Sequence, residues 1–443
     1  MFKKLKFLFL GVSLIMLSVV CASAATFYDS DIASDAVYFV NEETKMVIAE
    51  KNANKRRSPA SLTKMMNFIV AYENCKNLSS EMVKAPKEIL ELVDADSSGC
   101  KLNADEEMSV LNLMYCMLVC SSGDAAMVLG NYIGNGIDNF VNLMNQKAEQ
   151  LGCADTHFTN PDGMYDVNQY STAADVYKII KYAMTIPLFV DISSTSEYYP
   201  FPEGDARNPI ITTNKMIDEK RGGGYFSPHV RGGKTGYLED AGRCLASYAE
   251  CNGSNYIGVV MGGPTTDEQG NTIDKNMAMI DSKKIYTWAF SHLQTLRLYP
   301  AKTPVTEMSL KNVWNTDRIL VYPSSDFFVS VPNGVSVDDF YLKYNLPGAI
   351  FPPVKPGDIV GTAEVYYKDN KINEFNLTVN ETYGKNYLVI FFIMCRSIIN
   401  SPFFTWLIWI LIIIIAVYSH MMIKENKRRR RAKVVRQFPN IKK

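Results

Sequence analysis

Histidine is scarce in this chain, with four in 443 residues. None of His157, His229, His292 or His420 falls in a His-Glu-x-x-His pattern, which excludes the common helical zinc site. The Gly-x-Ser-x-Gly turn that poises a serine beside a histidine is also missing around the candidate serine identified below. The nine cysteines include no Cys-x-x-Cys pair and no Cys/His metal spacing. Outside the leader Cys21 and the near-membrane Cys395, seven remain (Cys75, Cys100, Cys116, Cys120, Cys153, Cys244, Cys251), an odd set without regular spacing. They read as small buried residues, mostly, rather than a disulfide framework. No internal repeat and no low-complexity tract lies outside the termini, so a solenoid is excluded.

Net charge is absent too, with 46 basic and 46 acidic residues, but the balance is misleading. Residues 1–24 carry Lys3, Lys4 and Lys6, an apolar run from Phe7 to Val20, and Ala22-Ser23-Ala24, the pattern of a secretory signal cut after Ala24. Phe403 to Ile423 holds no charged residue and spans roughly 30 Å as a helix, enough to cross a bilayer. Lys424, Lys427, Arg428, Arg429, Arg430, Arg431 and Lys433 follow at once, so the positive-inside rule puts residues 424–443 in the cytoplasm and the body outside. Removing both ends leaves a body with about twelve net negative charges, which argues against general nucleic-acid binding. Residues 385–402, with Tyr387 to Ile399 apolar apart from Arg396, form a segment expected to lie along the outer interface.

The body divides by period. Val37–Val40 and Lys45–Glu50 flank Asn41-Glu42-Glu43-Thr44 as a hairpin. A helix starts at about Ser61, with Leu62, Met65, Met66, Ile69 and Val70 on one face. Helices are expected over Asp105–Val119, Ala125–Ile133 with Asp124 as its cap, and Asp138–Leu151. Val230–Leu238, Cys244–Glu250 and Tyr256–Met261 read as an antiparallel sheet, and Ile273–Leu296 as a closing helix. Beyond Tyr299, β-branched and aromatic runs broken by Pro332-Asn333-Gly334, Pro347-Gly348 and Pro356-Gly357-Asp358 predict a separate β-rich module over 299–384, after a first domain at 25–298.

Two motifs carry chemistry. In Ser61-Leu62-Thr63-Lys64 the lysine hangs one helical turn from the serine, within reach of its hydroxyl. A serine becomes nucleophilic when a base takes its proton, and a lysine can be that base if burial or a second cation keeps it neutral. Gly232-Gly233-Lys234-Thr235-Gly236 lacks the glycine of a phosphate loop, Pro228 standing there, and lies in a strand pattern, so a nucleotide site is rejected. Lys234 and Thr235 suit the grip of a terminal carboxylate, and Gly236 would let a ligand lie against the strand.

Together with the serine turn Cys120-Ser121-Ser122-Gly123-Asp124, these form the ordered set of penicillin-binding proteins and β-lactamases. Over nearly the whole chain, including Lys355-Pro356-Gly357-Asp358-Ile359-Val360-Gly361 in the β-rich module, the sequence resembles the serine D-Ala-D-Ala carboxypeptidases of peptidase family S11, the low-molecular-mass penicillin-binding proteins. The resemblance implies an α+β transpeptidase fold, a helical cluster on an antiparallel sheet, then a small β-sandwich and a C-terminal transmembrane helix. It implies Ser61 as acyl-ester nucleophile, Lys64 as its base and Ser121 as proton relay. Lys234, Thr235 and Gly236 would bind substrate, with Lys234 also the cation that keeps Lys64 neutral, and the backbone N–H groups of Ser61 and Tyr237 would form the oxyanion hole. Substrates would be peptidoglycan pentapeptide stems and inhibitors β-lactams, with no cofactor and no metal. One departure stands out: the family's Ser-x-Asn has Gly123 in place of its asparagine, whose amide holds the substrate peptide and the lysine. No role is assigned to His157 or to Asn160-Pro161-Asp162-Gly163-Met164. A β-lactamase, or a wall-binding scaffold with weak turnover, are the other readings.

Overall fold

The computed structural model describes residues 32–437, apart from 96 and 315. The expected leader and the end of the tail lie outside the described residues. One compact unit runs to Leu298 and takes in Phe327–Tyr341 and Tyr367–Ile372. Its centre is a five-stranded antiparallel sheet ordered Val47–Lys51, Ala36–Asn41, Ser254–Gly263, Gly242–Cys251, Val230–Leu238. Alternation along the strands sends Cys244, Ala246, Ile257, Val259 and Met261 to one face and Leu245, Ala249, Tyr256 and Val260 to the other. The first face meets a cluster of helices: Thr63–Asn74, Val110–Val119, Gly123–Gly134, Ile137–Gln150, Ala173–Ala183 and Pro187–Ser193. The second is covered by Met277–His292 through Ala278, Ile285, Tyr286 and Ala289. The strand bearing Lys234 is an edge of the sheet.

Three expected elements end differently. Glu107–Ser109 is a strand paired with Met82–Lys84, and the helix starts only at Val110, where Ser109 accepts the Asn112 N–H. The next helix is capped by Ser122, not by Asp124, whose carboxylate also receives the Cys100 and Leu102 N–H groups. The closing helix stops at His292, and Leu293–Tyr299 is a strand. The second change matters for the site, because Ser122 and Asp124 tie Cys100 and Leu102 to the serine turn.

The second unit comprises Tyr299–Asp326, Leu342–Tyr366 and the chain from Asn373 onward. Met308, Leu310, Ile319, Val321, Ile350, Val354, Ala363, Leu377 and Val379 form its core. Thr306–Ser309 and Arg318–Pro323 pair antiparallel, and Tyr322 and Pro323 pair with Thr378 and Leu377. The Tyr387–Ile399 helix follows, then Pro402–Gln437, whose apolar part is long enough to cross a membrane.

Candidate active site

Ser61 sits in a single 3₁₀ turn, Ala60–Leu62, at the mouth of the Thr63–Asn74 helix. Ala60 holds a left-handed φ of 48°, costly for a residue with a Cβ, so the chain enters the helix through a strained kink. Gly163 makes the kink possible: its φ is +89°, and a Cβ there would lie 2.2 Å from the Ala60 carbonyl oxygen. Lys64 Nζ donates to Ser61 Oγ at 2.9 Å and to the carbonyl of Asp162. Below it Asn67, fully buried, donates to the carbonyls of Ala126 and Pro161 at 3.1 and 3.0 Å. That side chain fixes the Thr63–Asn74 helix, the Gly123–Gly134 helix and the 160–164 loop to one another.

The loop itself is braced from within. Gln169 Nε2 donates to Asn160 Oδ1 at 3.0 Å and to the Met164 carbonyl at 2.9 Å, and Asn160 Oδ1 also accepts the Gly163 N–H at 2.8 Å. A segment given no role from sequence thus supplies the second acceptor for Lys64. The asparagine, proline and glycine of that loop mark a turn, but nothing in the linear pattern aims the Asp162 carbonyl at a lysine 98 residues away.

Ser121 follows the Val110–Val119 helix with φ at +64°, a conformation that asparagine or glycine would take at less cost. The Ser122 N–H closes that turn on the Cys116 carbonyl at 3.1 Å. Ser121 Oγ accepts from Lys234 Nζ at 2.8 Å, and Lys234 also donates to the Thr235 carbonyl at 2.8 Å. Thr235 Oγ1 lies 2.5 Å from Thr213 Oγ1, a partner that sequence reading did not single out. Lys64 and Lys234 are 2% and 1% exposed, so the four side chains converge on one desolvated pocket. Gly236 is closely packed: its missing Cβ would meet Ala60 Cβ at 3.2 Å and Ser61 N at 3.3 Å. The glycine lets the edge strand lie against the backbone of Ser61, bringing Tyr237 beside it.

Burial drives the Lys64 amine down to about 8, while the Asp162 and Asp124 carboxylates pull the other way. Burial also pushes Lys234 well below the ordinary lysine range, and the charge on Lys64 adds to this. Two ammoniums in one buried site repel, so burial and mutual proximity favour a neutral amine in this pair. Gly123 is equally informative. A Cβ there would lie 1.9 Å from Ser97 Oγ and 3.4 Å from Asp162 Oδ2, so the space of the missing asparagine is taken by two other side chains.

A hydroxyl–amine pair at a helix start, set where a helical cluster meets the edge of an antiparallel sheet, is the architecture of the penicillin-binding class. The sequence pattern described as D-alanyl-D-alanine carboxypeptidase, peptidase S11, matches residues 21–265, and that of the penicillin-binding protein 5 C-terminal domain matches 293–385. The chain belongs to the S11 family of D-alanyl-D-alanine carboxypeptidases. It is 27% identical over 345 residues to the D-alanyl-D-alanine carboxypeptidase DacF of Bacillus subtilis, covering 77% of this chain and 84% of that one. With DacA of Haemophilus influenzae it shares 29% over 349 residues, covering 76% and 82%. The crystal structure of penicillin binding protein 5 from Haemophilus influenzae superposes with a TM-score of 0.68 at 25% identity, over 81% of this chain and 100% of that one.

Proposed function

We propose that this chain is a membrane-anchored, serine-type D-Ala-D-Ala carboxypeptidase that removes the terminal D-alanine of peptidoglycan pentapeptide stems and is acylated by β-lactams. The observation that carries the reading is the pair of buried amines, each holding a serine hydroxyl, at 2.9 Å for Lys64 and Ser61 and 2.8 Å for Lys234 and Ser121. The substrate carboxylate binds Lys234 and Thr235. An anion there favours the charged form of Lys234, and since two ammoniums in one dry pocket repel, Lys64 is held neutral. Substrate binding thereby favours the neutral base.

Lys64 then takes the Ser61 proton as Oγ bonds to the carbonyl carbon of the penultimate D-alanine. The N–H groups of Ser61 and Tyr237 hold the oxyanion. As the C–N bond breaks, Ser121 relays the proton from Lys64 to the departing amine, leaving Ser61 acylated. Water, deprotonated by Lys64, cleaves the ester and restores the hydroxyl. In this reading residues 25–298 are the catalytic domain, 299–384 the β-rich module, 385–402 an interfacial segment and 403–423 the span. By the positive-inside rule, the basic tail supports a body outside the membrane.

The test uses the full chain in detergent, with a fluorescent penicillin and a peptide ending in D-Ala-D-Ala. Stable labelling with release of D-alanine, both lost in Ser61→Ala, is expected. Rapid penicillin hydrolysis would make it a β-lactamase. Absence of both label and release would favour the scaffold reading that Gly123 motivates.

A further inference from the structure

Cys100 and Cys120 lie twenty residues apart in sequence, yet their Sγ atoms are 3.1 Å from each other. Cys120 ends the Val110–Val119 helix and is joined to Ser121 by one peptide bond. Cys100 belongs to the segment whose Ser97 fills the space beside Gly123. The two backbones are already pinned together: the Gly123 N–H donates to the Ser98 carbonyl at 2.5 Å, and the Cys100 N–H to Ser122 Oγ and Asp124 Oδ1 at 3.2 Å each. Cys75 meets Glu81, Cys153 the Asp175 carbonyl and Cys244 the Ala241 carbonyl, while Cys116 Sγ lies 4.0 Å from Met108 Sδ and Cys120 Sγ also donates to the Cys116 carbonyl at 3.2 Å. Among the described residues no group of three His, Cys, Asp or Glu is arranged to hold a metal ion, so the sulfur pair is not half of a metal site.

We infer that Cys100 and Cys120 are a cross-linking site, at which a disulfide staples the Ser97–Cys100 segment to the turn carrying Ser121. Bonded sulfurs sit about 2.05 Å apart, so closure asks for a movement of about 1 Å, within reach of side-chain torsions in a frame whose backbones are already docked. The oxidant is a disulfide, carried by a protein or a small molecule outside the membrane. Cys120, the less buried thiol, gives its proton to solvent, and its thiolate attacks one sulfur of the oxidant, whose other sulfur leaves and is protonated. Cys100 then attacks the Cys120 sulfur of this mixed disulfide, losing its own proton and releasing the oxidant's remaining sulfur as a thiol. Two electrons pass to the oxidant, and two thiols become one disulfide. The hydrogen bond between the two thiols and burial hold the Cys120 thiol above its ordinary range, so exchange is fastest while the segment is still open during folding. The bond is inferred independently of the reaction; its effect on acylation rests on the reading of Ser121 given above. With the staple formed, the wall that replaces the missing asparagine can no longer swing away from the serine turn.

The full chain is solubilised in detergent, equilibrated with oxidised glutathione, alkylated, and digested without reduction for mass spectrometry. The Cys100 and Cys120 peptides are expected joined, about 2 Da below the sum of their free masses, with Cys116 alkylated. Dithiothreitol should separate them, lower the thermal midpoint by roughly 5 °C, and slow penicillin acylation severalfold. Cys100→Ala and Cys120→Ala should each abolish that redox dependence, and Cys116→Ser should leave it. Ser61→Ala should cross-link as the parent does, which keeps this result separate from the catalytic reading. Singly alkylated Cys100 and Cys120 after oxidation, or a bridge to Cys116, would overturn the inference.

Discussion

Returning the family's asparagine to position 123 tests whether the site has been rebuilt around its loss. In Gly123→Asn the new Cβ starts 1.9 Å from Ser97 Oγ and 3.1 Å from Ser97 Cβ. Ser97 is half-buried and its hydroxyl donates to the Ser98 carbonyl at a long 3.4 Å, a weak tether that lets it rotate away. That displacement, with residual crowding at Cβ, should cost about 0.5–1.5 kcal/mol. The gain is one amide hydrogen bond to the lysine or the substrate peptide, also about 0.5–1.5 kcal/mol. The two nearly cancel, so the single variant should acylate within about threefold of the parent. Ser97→Gly removes the obstacle, and in that background Gly123→Asn should accelerate acylation by about 2- to 12-fold, a coupling of roughly 1 kcal/mol. The assay is the second-order acylation rate constant with a fluorescent penicillin across the four-member cycle, with thermal midpoints as a folding control. Additive effects, with coupling under about 0.3 kcal/mol, would refute the claim that Ser97 holds the asparagine's place.

Three further outcomes follow from the same geometry. The second-order rate constant for acylation should rise with pH through about 8, because the base acts as a neutral amine and Lys64 in the free protein is held there; Asp162→Asn, which removes a carboxylate favouring the ammonium, should move that limb down by about one unit. Lys64→Met should abolish acylation yet raise stability near pH 7: lowering a lysine from 10.5 to about 8 costs about 3 kcal/mol when it must be charged, part of it offset by the hydrogen bonds lost to Ser61 and Asp162. Since the folded pKa lies below the unfolded one, that advantage should be full below pH 8 and vanish as pH rises toward 10.5, which pH-dependent chemical denaturation would check. Thr213→Val, which strips the Thr235 hydroxyl of a partner at 2.5 Å, should raise KM for a D-Ala-D-Ala peptide about 2- to 10-fold with little change in kcat.

The parts of this protein legible in its sequence are those encoded by period and local punctuation. The strand Val230–Leu238 was bounded at both ends by its pattern, and the spacing of Ser61 and Lys64 brought hydroxyl and amine together because both ride one helical turn. Where no breaker interrupts an apolar run, the reading overshoots: Ile273–Leu296 contains no glycine or proline, yet the helix ends at His292 and the chain continues as a strand. Asp105–Val119 fails at its start in the same way, because pairing of Glu107–Ser109 with Met82–Lys84 is a tertiary event that overrides local helical period. Asp162, Ser97 and Thr213 were missed because each acts from a loop, through a carbonyl, a filled gap or a single hydroxyl, and none of these leaves a trace in hydropathy.

The two amines show why a motif alone does not assign roles. From the residue pattern the lysine on the strand is the natural cation and the lysine on the helix the natural base. In the folded site burial lowers both amines, the carboxylates of Asp162 and Asp124 favour the charge on Lys64, and no carboxylate is among the groups that move Lys234. In the proposed reaction an anion at Lys234 and Thr235 supplies what that amine lacks and favours a neutral Lys64. A ligand without a carboxylate at that position would lack this push toward the neutral base, so the same electrostatics would select substrates by their terminal anion. Selection and activation are then one event, and an uncharged amide at the substrate's C-terminus should lose kcat along with binding.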